Sequence, residues 1–100
     1  MRPIDILIES TEILCSAIRV QDGDKAIEAV TILLMQIVEF FGFVEGTFEI
    51  MFPFLEQLKE KIETGDYSAA ESDAIALLTK FRALRQPGGR KSRSAARLNS

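Results

Sequence analysis

The chain has 100 residues, 47 % of them hydrophobic and 27 % charged, which is room for one domain and too apolar a balance for intrinsic disorder. No apolar run approaches the ~20 residues of a membrane span, and Asp5, Glu9 and Glu12 interrupt any secretory leader, so a cytoplasmic protein is expected. The net charge of −3 hides a division: residues 1–86 hold 8 basic and 15 acidic side chains, a balance of −7, while Arg90, Lys91, Arg93 and Arg97 give residues 87–100 a balance of +4.

In the first segment Asp5, Glu9, Glu12, Ser16 and Arg19 step by three and four, which draws one polar line along a helix. The opposite face is Ile6, Leu7, Ile13, Leu14, Ala17 and Ile18, and Pro3 suits the first turn, so a helix is predicted over about 3–20. Gln21, Asp22 and Gly23 break it, and Asp24 is placed to cap the next helix. From Ala26 to Phe41 only Glu28, Thr31, Gln36 and Glu39 are polar. A helix so apolar must be covered on most sides, which makes it the central one.

Gly42 and Gly46 weaken a helix by about 1 kcal/mol each relative to Ala. The apolar register nevertheless keeps step through Ile37, Phe41, Val44, Phe48, Met51, Leu55, Leu58 and Ile62, so the second helix is expected to continue to about residue 50. Phe52 then forms a corner before Pro53, which opens a third helix over 53–63. Thr64, Gly65 and Asp66 repeat the stop-and-cap chemistry, and a fourth helix over 67–86 follows with the stripe Tyr67, Ala70, Ala74, Leu77, Phe81 and Leu84. The expected fold is all-α, an antiparallel bundle of four main helices (about 3–20, 24–50, 53–63 and 67–86). It forms one domain over 1–86, with a disordered basic tail over 87–100.

Chemistry-bearing patterns are missing. The chain has no histidine, which removes the commonest general base and with it most triads and dyads. Cys15 stands alone, without a base to form its thiolate or a second thiol for a metal pair, and reads as a small apolar residue inside a helix. Glu39, Glu45 and Glu49 suit the wet face of an acidic helix better than a metal site, and the glycines match no phosphate-binding loop. No catalytic residue, metal or cofactor is therefore indicated. The four charges of the tail, without aromatic residues and beside an acidic body, give little affinity for nucleic acid.

Six of the seven phenylalanines fall between Phe40 and Phe54. One helix face cannot hold them all, because neighbours such as Phe40 and Phe41 point in different directions. Either they fill one end of the bundle, or Phe40, Phe43, Met51, Phe52 and Phe54 leave an apolar surface for a partner. The latter predicts a non-enzymatic protein-binding module, an adaptor or export-type chaperone. The alternative is a structural or regulatory homodimer that covers the same patch with a second copy.

The chain has a Gly-Asp corner leading into the apolar helix Ala26–Phe41 and an E-x-G-D-Y corner at Glu63–Tyr67 opening the last helix. Over about residues 4–86 the chain resembles a group of short, uncharacterised bacterial helical-bundle proteins. More loosely, it resembles the flagellar and type III secretion export chaperones. The second resemblance implies a small acidic bundle that holds a partner's helix in an apolar groove, with no catalytic residues.

Overall fold

Each of the four apolar stripes becomes one helix: α1 (Pro3–Arg19), α2 (Gly23–Phe41), α3 (Thr47–Glu63) and α4 (Tyr67–Arg85). The computed structural model describes residues 2–42 and 47–85, with Thr47 and Phe48 as backbone only, and holds no strand among them. α1 packs on α2 and α4, and α3 packs on the same two helices. Each helix thus has two principal neighbours, and the short corners make consecutive helices antiparallel, as expected. The centre is filled by Leu7, Leu14, Ile18, Leu33, Leu55, Leu58 and Leu77, all essentially inaccessible. Each such side chain contributes about 1.5–3 kcal/mol by leaving water. Thr11 is the one buried polar residue among those described, and its hydroxyl donates to the Leu7 carbonyl at 2.7 Å.

The two short corners share one backbone plan. At the end of α3 the Asp66 N–H donates to the Lys61 carbonyl (2.8 Å) and the Gly65 N–H to that of Ile62 (3.1 Å), with Gly65 at φ +83°. This pair of bonds, closed by a left-handed residue, satisfies carbonyls that a helix end would leave bare. At the end of α1 the Asp22 N–H donates to Ala17 and the Gln21 N–H to Ile18, both at 2.9 Å, and the left-handed residue is Gln21 at φ +59°. Asp22 and Asp66 then cap the following helices, accepting from the N–H groups of Lys25 and Ala69 at 3.2 Å. The expected division of labour at the first corner is therefore corrected. Gln21 makes the turn, Asp22 is the cap in place of Asp24, and Gly23 begins α2.

The α2–α3 connection departs further from expectation. α2 does not run on to residue 50: it ends at Phe41, and Gly42 has φ +62° and ψ −142°, a region closed to residues with a Cβ. Residues 43–46, and so the expected continuation through Gly46, lie outside the described residues. Pro53 lies inside α3 and does not open it, so Phe52 is not a corner. Its missing N–H leaves the Glu49 carbonyl without a helical partner, normally a cost of about 3 kcal/mol. Both residues are on the wet side, where water can reach that carbonyl, while Leu55, Leu58 and Ile62 are buried opposite. Burial of that stripe holds the helix through the proline. The tail over 87–100 lies outside the described residues.

Candidate protein-interaction surface

α2 turns Ala26, Ala29, Val30, Leu33 and Ile37 to the core, which uses one face of the helix. Its sequence is apolar on more than one face, and the remainder is left outside. Ile32, Met35 and Val38 are 42 %, 66 % and 37 % exposed. The expectation of a central helix covered on most sides is thus not met, because a four-membered ring gives every helix an outward side. Ile13, expected on the inner face of α1, is likewise 49 % exposed. Thr11, Leu14, Cys15 and Ile18 take the inward positions because α1 must face α2 and α4 together.

These side chains join into one surface. Leu34, Met35, Val38 and Glu39 of α2 and Phe52 of α3 line a shallow groove of about 540 Å³. On the other flank of α2, Ile32 and Ala29 meet Ile13 and Ser10 of α1 around a recess of about 90 Å³. The Ser10 hydroxyl donates to Gln36 Oε1 at 2.7 Å, which holds α1 to α2 beside that recess. Residues three apart on a helix are neighbours, so Ile32, Met35 and Val38 carry the apolar strip from one recess to the other.

The aromatic residues divide between core and groove. Phe40, Met51 and Phe54 are half-buried and, with Phe41, pack against the core, whereas half-buried Phe52 lines the groove. Phe43 lies outside the described residues. Sequence reasoning missed Leu34, Met35 and Val38, although the unbroken apolar run Ile32–Met35 exceeds what one helix face can bury.

Charge is distributed just as unevenly. Arg19–Glu71 (3.2 Å), Arg82–Glu12 (2.9 Å) and Arg85–Asp5 (3.9 Å) tie α1 to α4, and Lys61–Asp73 (2.5 Å) ties α3 to α4. Among the described residues no ion pair involves α2. The helix carries three carboxylates, Asp24, Glu28 and Glu39, and one cation, Lys25.

The remaining chemistry is sparse. Glu39 and Glu49 are exposed, Glu45 lies outside the described residues, and no three described acidic or thiol groups converge as metal ligands would. Cys15 is buried between α1 and α4, and desolvation pushes its thiol above the ordinary range, which disfavours the thiolate. No described helix is long and apolar enough to cross a membrane. No protein-family model, curated protein or solved structure matches the chain.

Proposed function

We propose that this chain is a non-enzymatic protein-binding module, an adaptor or export-type chaperone of the cytoplasm, that holds a segment of another protein on the outer face of α2. The observation that carries this reading is the exposure of Ile32, Met35 and Val38 beside the Phe52 groove. An apolar strip of this kind gains nothing for the isolated fold and marks interaction sites. Phe40, Met51 and Phe54 pack on the core, and Phe52 lines the groove beside the strip. The groove is open and lies between two helices, which suits an amphipathic helix better than a small substrate.

Met35 provides the test, because a side chain that is 66 % exposed adds little to folding. Affinity purification from the native host, with mass spectrometry, is compared for the wild-type chain and Met35→Ser, each checked for an unchanged thermal midpoint. Loss of one defined partner from the Met35→Ser sample is expected. Identical partner sets would contradict the proposal. A homodimer that buries the same face is the second reading, and light scattering on dilution distinguishes it.

A further inference from the structure

We infer that the segment held on α2 is a cationic amphipathic helix, with apolar residues at three- and four-residue spacing and Lys or Arg on its flanks; this inference rests on the binding reading above. α1, α3 and α4 carry Arg19, Lys61, and Arg82 with Arg85 in their last turns, where a cation is favoured by the negative end of the helix dipole. α2 has no basic residue in its last turn and places Glu39 there, against that preference. Glu39 also lines the apolar groove with Met35, Val38 and Phe52. Negative charge from the helix end and from a carboxylate therefore converges at one end of the strip.

The other end repeats the pattern. Glu28 lines the second recess with Ile13 and Ile32, and Glu9 lies beside Ile13 at the adjoining groove along α1. Asp5, Glu12, Glu71 and Asp73, by contrast, are all paired with cations on the seams that α4 makes with α1 and α3. Among the described residues Glu9, Glu28 and Glu39 have no such partner, and Lys25, also without an ion pair, is the one cation of α1 and α2 that lines the recess beside Glu28. An apolar strip with unpaired carboxylates at both ends is complementary to an apolar helix face with cationic flanks. Two copies of the chain placed strip to strip would gather six of these carboxylates with only two lysines, Lys25 of each copy, which opposes a symmetric dimer.

The test uses three fluorescently labelled synthetic 18-residue peptides and the full chain. The first has leucines at i, i+3, i+4 and i+7 with Lys and Arg flanks. The second has the same leucines with Glu flanks, and the third is a scramble of the first with its leucines dispersed. Anisotropy titration in low salt is expected to show binding of the first peptide only. Glu28→Gln and Glu39→Gln should each weaken it about three- to fivefold, and Met35→Ser about tenfold or more. Equal binding of the Lys/Arg and Glu peptides, both weakened by Met35→Ser, would overturn the cationic partner while leaving the binding face intact. If the scramble binds as well as the first peptide, or if Met35→Ser changes nothing, the face itself is wrong. Two other occupants would also overturn the inference. A concentration-dependent oligomer lost in Met35→Ser would show a second copy on the face. A shift of the Met35 methyl resonance when Arg90, Lys91, Arg93 and Arg97 are changed to Gln would show the chain's own tail there.

Discussion

Tyr67, the first residue of α4, stands over Gly23, the first residue of α2: a Cβ on Gly23 would lie 2.9 Å from the Tyr67 hydroxyl oxygen. The two short corners thus meet at one end of the bundle, and the glycine belongs there because the Tyr67 hydroxyl of the other corner needs its space. Gly23→Ala should therefore destabilise the wild-type chain, yet be neutral or stabilising in a Tyr67→Phe background, where the nearest remaining ring carbon is about 4.0 Å away. Denaturant unfolding of the four-member cycle should give a coupling of about 1 kcal/mol. Additive effects would show that the contact carries no energy.

Gln21 holds φ +59° with a side chain that disfavours it, in a turn whose counterpart uses Gly65. Gln21→Gly removes about 1 kcal/mol of backbone strain, less whatever the glycine adds to the entropy of the unfolded chain. The thermal midpoint should rise by several degrees. An unchanged or lower midpoint would mean that the Gln21 side chain contributes more than its backbone costs.

Leu33 and Met35 lie two residues apart on α2 but face opposite ways, one fully buried and the other 66 % exposed. Leu33→Ala should cost about 2–5 kcal/mol, and Met35→Ala less than about 0.5 kcal/mol. Similar losses at both positions, measured by urea unfolding, would place Met35 in a core and remove it from the proposed binding surface.

Cys15 is 5 % exposed and its thiol is held neutral by burial. Near neutral pH it should react with iodoacetamide only as fast as the bundle opens, so that destabilising variants such as Leu33→Ala label faster. Labelling at the rate of a free thiol, unchanged by stability, would contradict this burial.

The helical content of the chain is legible in its sequence because stripes such as Ala70, Ala74, Leu77 and Phe81 repeat at the helical period whatever their neighbours. Details set by distant contacts are not. Gly23 reads as a helix stop until Tyr67, far along the chain, is brought against it. Pro53 reads as a helix start until the burial of Leu55 and Leu58 outweighs the bond it removes. The exposed apolar face of α2 was only half visible for a related reason. Composition shows that α2 has more apolar surface than one face can bury, and the crowded phenylalanines draw attention to the α2–α3 region. Only the ring arrangement of the helices decides that Phe40, Met51 and Phe54 pack on the core while Met35 and Val38 stay outside.

Whether another protein binds the outer face of α2 is tested most directly by placing a photo-crosslinking amino acid at position 35 in the native host, with the same residue at exposed Lys80 of α4 as control. One discrete heterologous adduct from position 35, absent from position 80, is the predicted result. The same diffuse background from both positions, or an adduct of twice the chain's own mass from position 35, would contradict it.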